Sequence, residues 1–206
     1  MKVLLINGSP NAKGCTYTAL KTVADALNKE EIETEIIQVG HKDIRGCIGC
    51  GRCKELKHCV FNDIVNDVAS KFAECDGIIV GSPVYYASAN GTLISFLDRL
   101  FYSSSADKTM KVGASVVSAR RAGTTATFDE LNKYFTISEM PIVSSRYWNM
   151  VHGNNAEQVN QDLEGLQIMR VLGKNMAFLI KAIKLAKETY GLPEKEETRI
   201  STNFIR

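Results

Sequence analysis

The sequence predicts an α/β protein built on a five-stranded parallel sheet, because short apolar runs alternate with longer helical patterns along its 206 residues. That alternation is the pattern of strands joined by crossover helices. Two further observations agree with it. The first run is apolar at almost every position, as a strand covered on both faces must be. Glycine-bearing turns follow the first, third and fourth runs, where an open parallel sheet binds its ligands.

The elements follow in order. Lys2–Asn7 is the first strand. Leu20, Val23, Ala24 and Leu27 then fall at i, i+3, i+4 and i+7, one stripe of a helix. Glu33–Val39 carries alternating β-branched residues and reads as the second strand. The stretch 41–62 is irregular and holds four of the six cysteines. Ile64, Val65, Val68 and Phe72 give the next helix, with Asn62 or Asp63 as its N-cap. Asp76–Gly81 is a short third strand around Ile78, Ile79 and Val80. Leu93, Phe96, Leu97, Leu100 and Phe101 mark another helix stripe. Lys111–Ser118 is the fourth strand, Thr125–Phe135 a weaker helix, and Pro141–Tyr147 the fifth strand. A long helix carries Leu172, Met176, Leu179, Ile180 and Ile183 and stops at Gly191-Leu192-Pro193. The polar tail 194–206 is expected to be loosely ordered or to dock on a partner. The length suits one domain, and each crossover is expected to be right-handed.

Composition narrows the function. Basic residues number 25 and acidic residues 23, and hydrophobic residues make up 45%. No basic stripe interleaved with aromatics argues for nucleic acid. No run approaches the roughly 20 apolar residues that cross a bilayer. Residues 1–6 run straight into structure with no cleavage site, so a cytoplasmic location is expected.

The first strand ends in Gly8-Ser9-Pro10-Asn11-Ala12-Lys13-Gly14-Cys15-Thr16, and a helix starts directly after it. Such a turn offers free backbone N–H groups and the positive end of a helix dipole, a natural phosphate site. Ser9 and Thr16 add hydroxyls. A P-loop would need Lys-Ser or Lys-Thr after the second glycine, and a dinucleotide loop would need G-x-G-x-x-G; neither is present. The third strand runs into Gly81-Ser82-Pro83-Val84-Tyr85-Tyr86, repeating the Gly-Ser-Pro of residues 8–10. Tyr85 and Tyr86 either offer a face to a planar ring or pack beneath their loop. The fourth strand ends in Ala119-Arg120-Arg121-Ala122-Gly123, where an arginine suits a cofactor oxygen or a nicotinamide cofactor's phosphate. The alternative is a solvated basic loop.

Cys47, Cys50, Cys53 and Cys59 have the spacing C-x2-C-x2-C-x5-C. Four thiols at these gaps suit a [4Fe–4S] cluster or, as a weaker fit, zinc. The plainer alternative is that they pack or line the loop as free thiols. His58 is a spare ligand or a solvated histidine. Cys75 reads as a small buried hydrophobe. Cys15, at a helix N-terminus, is expected to have a lowered pKa.

Taken together, Asn7-Gly8-Ser9-Pro10, the Cys47–Cys53 run, Gly81–Tyr86, Phe96-Leu97-Asp98-Arg99 and the Arg121–Gly123 region resemble the NADPH-dependent FMN reductase family, in its iron–sulfur flavoprotein branch. The resemblance covers nearly the whole chain. It implies a flavodoxin-like three-layer sandwich with strand order 2-1-3-4-5, and FMN as cofactor. The FMN phosphate would lie on Ser9, Asn11, Gly14, Cys15 and Thr16. The ring would lie against Pro83, Val84, Tyr85, Tyr86, Ala119, Arg120 and Gly123, with Cys47, Cys50, Cys53 and Cys59 as metal ligands. NAD(P)H would donate electrons through FMN to a quinone, a flavin or another acceptor, in a homodimer or homotetramer. The alternative is a one-electron carrier rather than a turnover enzyme. Two departures stand out: the family's loops often carry Arg where this chain has Asn11, and Asn where it has Cys15. Asp98-Arg99 reads as a structural ion pair or cap.

Overall fold

The computed structural model describes residues 1–194, 197, 198, 200–202 and 204. Expectations for the tail from residue 194 therefore fall partly outside the described residues. The elements are β1 (Lys2–Asn7), α1 (Cys15–Lys29), β2 (Glu33–Gln38), α2 (Cys53–Leu56), α3 (Ile64–Ala73), β3 (Gly77–Pro83), α4 (Gly91–Ser103), β4 (Val112–Ala119), α5 (Thr124–Thr136), β5 (Met150–His152), α6 (Ala156–Val159) and α7 (Leu163–Tyr190). The five strands form one parallel sheet in the order β2-β1-β3-β4-β5.

Side-chain alternation splits the core into two layers. Val3 and Leu5 of β1, Ile79 of β3 and Ala114 and Val116 of β4 face α1 and α7. Leu4 and Ile6, Ile78 and Val80, and Val117 face α3, α4 and α5. Each interior strand is thus apolar on both faces, which is why the first run lacks a polar beat. Asp63 is the N-cap of α3, its carboxylate accepting from Val65 N at 3.1 Å. Among the described residues no helix is long and apolar enough to cross a membrane.

The fifth strand differs from expectation. The run 141–147 touches the sheet at a single bridge, Gly113 to Ile142. Val143 N then donates to Gly113 O at 3.0 Å, and the chain leaves the sheet with Arg146, Tyr147 and Trp148 exposed. It returns as β5, where Val151 is buried and pairs with Ser118. Polar residues 144–146 do not belong between two helix layers, whereas Met150-Val151 does. The three-residue strand is too short to leave a periodic signal.

Candidate functional site

The parallel order places the turns after β1, β3 and β4 side by side at one edge. The β1 turn is tied to the other strands. Gly8 N donates to Gly81 O at 2.8 Å, at the end of β3. Thr16 and Ser118 share a hydroxyl hydrogen bond of 2.8 Å, reaching the end of β4. Cys15 Sγ donates to Gly153 O at 3.4 Å, just past β5. Asn7 accepts from Ser9 N, and Ser9 Oγ accepts from Asn11 N, both at 3.1 Å. Gln38 brackets this turn from β2, accepting from the Asn7 amide and donating to Ser9 O.

Gly14 is the N-cap of α1 and has no side chain to cap it. Thr18 N is the first helix amide bonded within the helix, to Gly14 O. Cys15, Thr16 and Tyr17 therefore present amides with no intrahelical acceptor, at the positive end of the dipole. These donors fit a phosphate. Ser9 and Thr16 are buried, Gly14 and Cys15 half-buried, and Asn11 exposed. The expected lowering of the Cys15 pKa is not found. Burial pushes the thiol up, Glu157 adds to that, and a backbone hydrogen bond opposes it only in part. Desolvation outweighs the helix terminus.

The β3 turn is tight and strained. Tyr85 N donates to Ser88 O at 2.9 Å and Ser88 N returns to Tyr85 O at 3.0 Å. Between them Tyr86 (φ 51°) and Ala87 (φ 60°) are left-handed, which costs non-glycine residues about 1–2 kcal/mol each. A half-buried residue missed by sequence reading holds this turn. Glu130, on α5, accepts from Ser88 Oγ at 2.9 and 3.0 Å and from Ala89 N at 2.8 Å. Its position on a weak helix gave no signal. Tyr85 and Tyr86 stand exposed rather than packed beneath the loop. Pro83 and Val84 line the same turn half-buried, and Val84 N donates to Ser118 O at 2.9 Å. Ala119 is half-buried and Arg120 exposed. Gly123 (φ 88°) caps α5, and a Cβ there would lie 2.9 Å from Val84 and 3.0 Å from Ala87. The β3 and β4 turns therefore nest, leaving an exposed aromatic rim suited to a planar ring.

The four clustered cysteines lie outside this edge-to-edge network. Gly49 (φ 66°) and Gly51 (φ 70°) turn the chain between them. Cys47 and Cys50 are exposed, Cys53 half-buried in α2, and Cys59 buried. All four line one small cavity with Ile48, Phe61, Arg99 and Tyr102. Among the described residues, no three of His, Cys, Asp or Glu stand close enough to hold a metal ion. The donor set still suits a cluster: four thiols on one cavity, with glycines free to turn the loop inward. His58 points its Nδ1 at Cys59 O, 2.9 Å away. Arg99 is buried and chelates the Asp63 carboxylate at 2.7 and 2.9 Å; Asp98 instead accepts from Tyr134. Asp98 and Arg99 thus have the structural roles expected of them, Arg99 as ion-pair partner of the α3 N-cap and Asp98 as acceptor for Tyr134 of α5. Cys75 is buried as expected, and burial pushes its thiol up to about 11.

Fold and edge define a flavodoxin-like protein: a 2-1-3-4-5 parallel sheet with a donor-rich turn beside its switch point. An archaeal flavodoxin superposes with a TM-score of 0.59 at 15% identity, over 88% of this chain and 99% of its own. RosB, solved with 8-demethyl-8-formylriboflavin 5′-phosphate, superposes with a TM-score of 0.71 at 14% identity, over 100% of this chain and 92% of its own. At these identities the likeness is one of fold. The family follows from sequence: residues 1–155 match the model of the NADPH-dependent FMN reductases, and the chain belongs to that family. An iron–sulfur flavoprotein of Methanocaldococcus jannaschii is 34% identical over 199 residues, covering 89% of this chain and 100% of that protein.

Proposed function

We propose that this chain is an FMN-dependent NAD(P)H oxidoreductase that passes electrons to a quinone, a flavin or another acceptor. The observation that carries the reading is the uncapped N-terminus of α1, fixed by hydrogen bonds to the ends of β3, β4 and β5. Its amides at Cys15, Thr16 and Tyr17 would take the FMN phosphate oxygens, and the dipole would favour their charge. Ser9 and Thr16 would orient those oxygens, and Asn11 and Gly14 would close the turn over them. Pro83, Val84, Tyr85 and Tyr86 would border the ring on one side, and Ala119, Arg120 and Gly123 on the other. Arg120 is free to meet a cofactor oxygen or the donor's phosphate. Bound FMN supplies the hydride and electron-transfer chemistry, so no side chain need act as a nucleophile. Cys47, Cys50, Cys53 and Cys59 would hold a [4Fe–4S] cluster.

That cluster supports a second reading, a one-electron carrier, since its natural step is one electron and the 34% identical relative bears the name iron–sulfur flavoprotein. A homodimer or homotetramer in the cytoplasm is proposed for either reading. The test is anaerobic purification followed by an absorbance spectrum, iron and acid-labile sulfide assays, and NADPH oxidation with added quinone. Flavin bands with multiple-turnover NADPH oxidation support the enzyme. Flavin and iron without turnover support the carrier. A colourless protein that takes up no added FMN rejects both.

A further inference from the structure

Arg99 is the one charged side chain among the buried described residues, at 1% exposure. Burying a guanidinium is costly unless it is paired, and an apolar side chain would serve equally well merely to pack α4. What it touches gives a reason to keep it. Its Nε donates to Cys59 Sγ at 3.2 Å. Its Nη1 donates to Arg45 O at 3.2 Å, before the first cysteine of the loop. The two Nη atoms bind Asp63, beyond the last cysteine, and the guanidinium lies 5.0 Å from the Phe61 ring centroid. One side chain therefore ties both ends of the cysteine loop together.

Cys59 is held in a second way. Asn66 accepts from Cys59 N and donates to Cys59 O, both at 3.0 Å. Cys47 and Cys50, by contrast, are exposed. Cys59 is thus the fixed sulfur on which the rest of the loop can close.

We infer that Arg99 is a positioning residue of the four-cysteine centre, one that fixes the Cys59 sulfur and makes the centre easier to reduce. The inference rests on the reading that the four cysteines hold an iron–sulfur cluster. One-electron reduction adds one negative charge to that centre. A positive charge and an N–H···S hydrogen bond at one sulfur both favour the more negative state. Asp63, paired with the same guanidinium, works the other way.

The test is a dithionite titration of the anaerobic holoprotein, dithionite supplying the electron, with the midpoint potential read by EPR. Iron, sulfide and FMN content are measured alongside. Arg99→Gln is expected to shift the midpoint to a more negative value. Asp63→Asn keeps an N-cap for α3 and is expected to shift it to a less negative value. Opposite signs are what charge and hydrogen bonding produce; loosening of the loop alone would move both variants the same way. Unchanged potentials, or shifts of the same sign, in fully loaded variants overturn the inference while leaving the cluster reading intact. If Arg99→Gln retains no iron or FMN, Asp63→Asn decides: a less negative midpoint supports the inference and any other result overturns it. A wild-type protein that contains flavin but no iron or sulfide ends the cluster reading and this inference with it.

Discussion

The turn after β1 is hydrogen-bonded to the ends of β3, β4 and β5 before any ligand arrives, whereas Cys47 and Cys50 stand exposed on a chain that bends through Gly49 and Gly51. The first region takes its shape from the sheet. Its donors are backbone amides, and their direction is fixed once α1 packs against the core. In the second, Arg99 ties the two ends, at Arg45 and at Cys59, and Asn66 adds to the hold on Cys59, while Cys47 and Cys50 between them stand exposed. A backbone site is preorganised by the fold that carries it; a side-chain site on a loop is completed by what it binds. The two should therefore fail separately.

The strongest test of that separation is to remove two thiols. Cys47→Ser with Cys50→Ser is expected to abolish iron incorporation entirely. FMN affinity should change by less than about twofold, or about 0.4 kcal/mol. Iron assay and fluorescence titration of FMN measure the two effects on one preparation. Loss of FMN together with iron would mean that the cysteine loop also shapes the flavin edge.

The reverse break comes from Gly123→Ala. The φ of 88° costs an alanine about 1–2 kcal/mol, and its Cβ would press on Val84 and Ala87. FMN binding is expected to weaken roughly tenfold, the equivalent of about 1.4 kcal/mol. Iron content should stay at the wild-type level. An unchanged FMN affinity would detach the β4 turn from the flavin edge.

What the sequence revealed follows the same divide. Strands buried on both faces announce themselves as apolar runs, so β1, β3 and β4 were legible, and the Gly-Ser-Pro turns after β1 and β3 marked the edge. Residues acting through long-range contacts were not. Glu130 reaches the Ser88 turn across 42 positions and Arg99 reaches Cys59 across 40; both sit in helices whose periodicity says only which face is buried. Burial also reversed the expectation for Cys15, because a dipole can be read from a helix start and desolvation cannot.

Glu130→Ala sharpens the comparison within the flavin edge. It removes the acceptor for Ser88 Oγ and Ala89 N from a turn with two left-handed residues. Charged hydrogen bonds contribute about 1.5–3 kcal/mol, and solvent near the half-buried carboxylate reduces that to about 1 kcal/mol here. FMN affinity should fall roughly fivefold, with the iron content unchanged. If affinity holds, the turn is shaped by its own Tyr85–Ser88 hydrogen bonds.

The smallest effect concerns Cys75, a thiol that belongs to neither region. Burial raises its pKa from 9.0 to about 11. The folded state therefore favours the neutral thiol over the thiolate. A group raised on folding contributes stability that is complete below its unfolded pKa and is lost as pH climbs through the folded one. The contribution of Cys75 should be full below pH 9 and fade toward about pH 11. Urea midpoints for wild type and Cys75→Ala, compared across that interval, isolate this group from the lysines and tyrosines that titrate nearby. The gap between the two proteins should shrink as pH rises; a gap that stays constant means that Cys75 acts by packing alone. In the iron-free protein at pH 8, iodoacetamide should label the exposed Cys47 and Cys50 well before Cys75. That order separates a core cysteine from loop cysteines left open for a ligand, using chemistry that needs no flavin.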